Sequence, residues 1–216
     1  MPLQNRVDPF GEIHAVAARG LFTGNRGVIH DPGTRTLMTR RWATKAWLTC
    51  VCEFGGRRRD VMGRNAPSGR AGWTELFFLD EVTALAAGHR PCFFCRRKQA
   101  QDFAARFGKA FGIADPKTAE IDARLHAERL ASGGPLAALD PEKFDSLPDG
   151  AMLLLGKHPF AKHGGMLRPW AFHGYGDARH CNALEEKEAY ILTPPTTLAV
   201  LRAGYQPVWH PSSIET

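Results

Sequence analysis

The sequence predicts an α+β protein: an N-terminal β-meander leading into a cysteine knuckle and helices, followed by a smaller α+β unit. Three observations predict it. Short apolar runs punctuated by Gly, Pro and Asn fill the first eighty residues. Helical patterns with clear end signals follow as far as residue 131. The last seventy residues return to strand-like runs closed by one more helix. A length of 216 residues suits one large domain or two small ones. The expected division is 1–131, a linker or loop over 132–148, and 149–216 packed on the first unit.

In order along the chain, residues 19–23 and 26–31 flank Gly24-Asn25, a pair that tolerates positive φ and suits a tight hairpin. Asp31-Pro32-Gly33 is a second turn. Residues 47–54 alternate as a strand, with Leu48, Cys50, Cys52 and Phe54 on one face and Trp47, Thr49, Val51 and Glu53 on the other. Gly55-Gly56 turns the chain into a partner strand over 57–62, residues 65–72 form a loop, and 73–79 form another strand. Asp80 then fits a helix N-cap, Glu81 complements the positive helix end, and Gly88 fits the left-handed stop.

Two further helices are expected over 96–111, where Phe103 and Phe107 lie one turn apart, and over 119–130. In the last unit, 150–155 reads as a buried strand and 189–193 as another. Thr193 is positioned to cap a helix that has Pro194 in its first turn and stops at Gly204. Residues 80–91 and 196–207 echo each other, each running a helix into Ala-Gly, two residues and Pro. Duplication and shared helix-stop chemistry both account for the echo.

Composition narrows the function classes. At 44% hydrophobic and 23% charged, the chain is neither disordered nor fibrous. No run nears the ~18–20 apolar residues of a membrane span. The first residues lack a basic stretch followed by an apolar one, so a cytoplasmic protein without membrane contact is expected.

The net charge of +6 is unevenly spread: residues 1–110 carry 18 basic and 9 acidic side chains, residues 111–216 carry 10 and 13. Arginine dominates the excess, and its planar fork suits phosphate. A nucleic-acid partner is therefore expected, DNA ahead of RNA. Arg57, Arg58 and Arg59 with Arg35, Arg40 and Arg41 form a candidate basic ribbon, which Arg90, Arg96 and Arg97 would extend. A merely solvated charged face is the alternative. Trp42 and Trp47 either stack on bases or fill the core.

The cysteines carry the sharpest signal. Cys92 and Cys95 have the Cys-x-x-Cys spacing that lets two thiolates reach one Zn2+ at about 2.3 Å. A redox dithiol and unliganded core cysteines are the other uses of this pattern. Cys50 and Cys52 share a strand face and are candidates to complete the set, although such positions lie about 6.5–7 Å apart on a straight strand. One of the two, or a histidine among His30, His89 and His126, would then be the fourth ligand. Cys181 lies apart in an acidic segment.

Residues 77–96, FFLDEVTALAAGHRPCFFCR, resemble the second half of the Ada-type zinc-binding module. That module occurs in bacterial alkylation-repair proteins and is appended to some nucleases. Its pattern is a strand, a short helix ending Ala-Ala-Gly, an aromatic or His, then Arg-Pro-Cys-x-x-Cys. The resemblance covers about a tenth of the chain, which as a whole is similar to a bacterial protein type built around this module. It implies zinc on Cys92 and Cys95, with Cys50 and Cys52 in the order of the earlier cysteine pair. Here Cys-x-Cys replaces the family's wider spacing, and a long insertion separates the halves. In the family a cysteine of the first pair accepts a methyl group from a DNA phosphotriester, so a methyl-accepting repair protein is one implied alternative.

Another alternative is an enzyme acting on a small anionic substrate. Asp122 and His126 lie one turn apart on a helix, so His126 with Asp122 or Glu128 is a candidate acid–base set, or an ordinary surface contact. The leading expectation is a nucleic-acid-binding protein whose zinc, held by four protein ligands, is structural and whose loss unfolds the knuckle.

Overall fold

A computed structural model describes residues 1–56, 59–180 and 188–213 and shows an α+β fold. The expected Arg57, Arg58 and Cys181 lie outside the described residues. The elements run β1 (Arg6–Val7), β2 (Ile13–His14), β3 (Phe22–Asn25), β4 (His30–Asp31), β5 (Thr36–Leu37), β6 (Leu48–Val51), β7 (Leu76–Phe78), α1 (Glu81–Ala86), β8 (Arg90–Pro91), α2 (Arg97–Phe111) and α3 (Thr118–Glu128). The second half adds β9 (Ala137–Ala138), β10 (Met152–Leu155), β11 (His158–His163), β12 (Met166–Ala171), β13 (Gly174–Tyr175), β14 (Ala189–Ile191) and α4 (Pro195–Arg202).

The N-terminal sheet has the order β2-β1-β7-β3-β6-β8. Its strands do not follow one another as a meander, because β1 pairs with β7 and β6 with β8 in parallel. Gly24-Asn25 is the instructive departure. Rather than turning, both residues sit inside β3, the strand flanked by β6 and β7, with Gly24 opposite Thr49 and Leu76. A Cβ on Gly24 would lie 2.1 Å from the Leu48 carbonyl oxygen, so glycine is required there by close strand approach. The turn comes later, at Gly27, with φ of 88°.

The second sheet, β13-β12-β11-β10-β14-β9, is antiparallel throughout. Its edge strand β9 lies within the stretch expected as linker. Lys162 of β11 is buried, and its ammonium donates to the carbonyls of Phe144, Asp145 and Leu147, which ties that same stretch to the sheet.

One core joins the two halves. Leu79, Val82 and Ala86 of the first pack with Met152, Ala161, Tyr175 and Leu192 of the second. Leu85, Phe103, Phe107, Ile121 and Leu125 pack with Val200, Leu201 and Tyr205. The N-terminus of α1 forms the polar centre of this seam. Asp80 caps the helix through Thr83 N at 2.8 Å and also accepts from Tyr175 Oη (2.8 Å) and His210 N (3.1 Å). Burial pushes the Asp80 carboxyl above its ordinary range, and these donors oppose the shift. Glu81 accepts from Tyr205 Oη at 2.7 Å and Val208 N at 2.9 Å.

Thr193 does not cap α4. Its hydroxyl accepts from Met152 N, and Pro194 is the N-cap. The echo between α1 and α4 has a shared stop: His89 N bonds Ala84 O and Tyr205 N bonds Val200 O, each across a glycine of positive φ. Gly24→Ala is expected to lower the unfolding free energy by about 3 kcal/mol, measured by urea denaturation, because β3 cannot move from two neighbours at once.

Candidate metal centre

Parallel pairing of β6 with β8 builds the centre. Leu48 lies opposite Arg90 and Thr49 opposite Pro91, and Cys92 N donates to Thr49 O at 3.0 Å. This register brings Cys92 beside Cys50. The chain then turns sharply, with Arg96 N bonding Cys92 O at 2.9 Å, and returns Cys95 to the same place. The sulfurs of Cys50, Cys92 and Cys95 all lie within 4.8 Å of one another, a group able to hold a metal ion. A tetrahedral ion with sulfurs at ~2.3 Å needs them about 3.8 Å apart, a separation within the 4.8 Å bound on this cluster.

The thiols act on one another. Cys50 is held far above the ordinary thiol range because it donates toward Cys92 and Cys95 and is buried. Cys92 is pulled well below that range by accepting from Cys50 and then Cys95. For Cys95 the contact with Cys50 pulls down, but donation toward Cys92 and burial together win, and its thiol is raised. The backbone N–H of Phe94 also points at Cys92 Sγ, at 3.4 Å.

Cys52 is not brought to the cluster. The strand ends at Val51, so the same-face alternation that would have aimed both sulfurs at one ion stops before it. Cys52 is exposed, and its thiol donates to Leu21 O at 3.5 Å. Partial desolvation of the sulfur, then Glu53, pushes this thiol up. The candidate histidines are elsewhere too. His30 bonds Thr74 Oγ1 at 2.6 Å, and His89 bonds Arg26 Nε and Leu48 O.

The three sulfurs line a cleft of about 440 Å³ together with Thr23, Asn25, Phe54, Trp73, Glu75 and Phe94. Phe54 and Phe94 meet edge to face at 5.1 Å and are 41% and 66% exposed. Also on the wall, the Arg59 guanidinium lies 4.1 Å over the Trp73 ring and donates to Glu75 Oε1 at 2.6 Å. Glu75 is buried and its other oxygen accepts from Met62 N. Sequence reasoning missed this cleft, since Phe54, Trp73 and Glu75 match no motif. The one visible signal was a pair of aromatics inside the Cys-x-x-Cys.

The candidate arginines separate into groups. Arg90 donates to both oxygens of Asp122 at 2.7 and 2.8 Å, and Arg96 to Glu81 at 2.7 Å. Both are buried, so neither reaches a phosphate, contrary to the expected basic face. Arg59 is spent on Glu75, and Arg35 pairs with Asp60 at 2.7 Å. Arg40, Arg41 and Arg97 are exposed. Trp47 is core: it is wholly buried between the guanidiniums of Arg26, at 3.8 Å, and Arg129, at 4.3 Å. Burial, then the nearby Arg129, pushes Arg26 down to about 9.

The acid–base candidates are also committed. Asp122 is locked to Arg90 rather than orienting His126. Glu128 accepts from Thr196 N and Oγ1 at 2.8 and 2.7 Å, at the start of α4. His126 stands edge-on to Trp42, and its pKa is lowered by burial and by Arg129 and Lys45.

Compared with family models, curated proteins and solved structures, the chain matches none of them. Among the described residues no helix is long and apolar enough to cross a membrane. Asp122→Ala leaves the Arg90 charge buried and alone, and is expected to cost about 3–5 kcal/mol in urea unfolding.

Proposed function

We propose that the protein is a zinc protein whose ion, held by Cys50, Cys92 and Cys95, serves to bind or activate a ligand rather than to hold the fold together. The observation that carries this reading is that the three sulfurs line the cleft. Structural zinc sites close with four protein ligands, whereas sites that act on a ligand keep three and leave a position open. Three thiolates favour a soft or borderline ion, and zinc is the one that takes them tetrahedrally without redox change. The cleft's volume falls within the ~300–1,000 Å³ usual for small-molecule sites.

This departs from the expectation of structural zinc. The knuckle is fastened without metal by the two buried arginine–carboxylate pairs and by the β6–β8 pairing. The Ada-type resemblance belongs to the same proposal, since it supplies zinc on Cys92 and Cys95. The methyl-accepting role it implies for Cys50 or Cys52 has less support, because neither sulfur of that pair is both inside the cluster and exposed.

A second reading, nucleic-acid contact, is favoured by one local observation. Trp42 is 39% exposed and stands beside His126, with exposed Arg40, Arg41 and Lys45 adjacent in sequence. An open aromatic among cations suits stacking on unpaired bases better than gripping a duplex.

Elemental analysis is expected to find one zinc per chain, lost in Cys50→Ser, Cys92→Ser and Cys95→Ser and kept in Cys52→Ser. Stripping the metal with a chelator is expected to leave the far-ultraviolet circular dichroism essentially unchanged, whereas collapse of the signal would return zinc to a structural role. For the second reading, binding of a single-stranded oligonucleotide should weaken with salt on a log–log plot, with a slope reduced by about 1–2 in the Arg40→Ala/Arg41→Ala protein. An unchanged slope removes that patch from the function.

A further inference from the structure

The walls of the cleft narrow what it takes, granted the zinc reading above. We propose that its ligand is a small thiol with an apolar body, whose sulfur fills the coordination position that Cys50, Cys92 and Cys95 leave. Three features of the site support this class over a phosphate, a carboxylate or water.

The donor set comes first. Three anionic sulfurs offset more than the charge of a divalent zinc, which blunts its pull on the proton of a bound water and favours another soft donor. The walls come second. Phe54 and Phe94 expose large apolar areas in the cleft that the sulfurs line while contributing to no core cluster among the described residues, and Trp73, Phe77 and Val61 continue the apolar lining. Exposed aromatics grouped around a cavity mark a binding surface.

The polar groups come third. Arg59 and Glu75 satisfy each other, so neither offers a free charge to an anion. Asn25 is the one further amide on the wall: its Oδ1 accepts from Gly27 N, and its Nδ2 donates to nothing among the described residues. Among the described residues, the wall therefore suits a ligand with an apolar body and at most one acceptor near Asn25. A zinc ion held by the three cysteines would take the ligand's thiolate sulfur in exchange for solvent, the thiol proton passing to water.

The test uses the full chain reconstituted with Co2+ in place of zinc, titrated with benzyl mercaptan and, separately, benzyl alcohol. Thiolate-to-cobalt charge transfer reports the number of sulfurs bound. The mercaptan is expected to intensify that band in a ratio of roughly four to three, as a fourth sulfur completes the tetrahedron. Benzyl alcohol is expected to leave it unchanged. Phe94→Ala is expected to weaken the mercaptan's half-saturation about tenfold without altering cobalt uptake. A four-sulfur spectrum before any mercaptan, reduced in Cys52→Ser, would overturn the proposal by showing the position filled from within. Equal responses to both probes, or none to either, would also overturn it while leaving the metal site standing. Absence of cobalt uptake would instead refute the metal reading itself.

Discussion

The arrangement of the thiols depends on two buried ion pairs that bracket them. Arg90 and Arg96 stand just outside Cys92 and Cys95 in sequence, and each is held by a carboxylate from a helix, Asp122 of α3 and Glu81 at the start of α1. A guanidinium buried without its partner is costly, so each pair fixes its stretch of backbone in one place. Arg96 also lies 4.4 Å over the Phe22 ring, which sets the knuckle against β3. The sulfurs are thus brought together by contacts that do not involve them. A site whose shape is fixed beforehand can leave one coordination position to the cleft.

The same pairs explain why the charge pattern misplaced Arg90 and Arg96. Counted along the chain, Arg90 and Arg96 belong to a basic face. In space their partners come from 32 and 15 residues away, distances over which spacing rules say nothing. Asp122 shows the converse. Its neighbour at one helical turn, His126, was the natural partner by local geometry, yet a bidentate guanidinium from β8 is the stronger claim on a buried carboxylate.

What local chemistry dictates was legible. The α+β class, the Asp80 cap, the Gly88 stop, the extents of α2 and α3 to within two residues, and Cys92 with Cys95 as a paired site could all be read from neighbouring residues. What tertiary approach dictates was not. Gly24 has the sequence signature of a turn and the position of a strand interior, because its missing side chain makes room for Leu48. Cys52 has the alternation of a ligand and the position of a bystander, because the strand stops one residue too early. The cleft walls come from four separate stretches, around Asn25, Phe54, Trp73 and Phe94, and so left no pattern along the chain.

The docking of the last segment on α1 bears on how the protein is made. Asp80 and Glu81 receive Tyr205, Val208 and His210, more than a hundred residues downstream. A nascent chain long enough to carry every sulfur of the cluster still has two carboxylates waiting for donors that are not yet made. The helix that positions Arg96, and through it the thiols, reaches its final setting only once residues 205–210 have been made and dock on it.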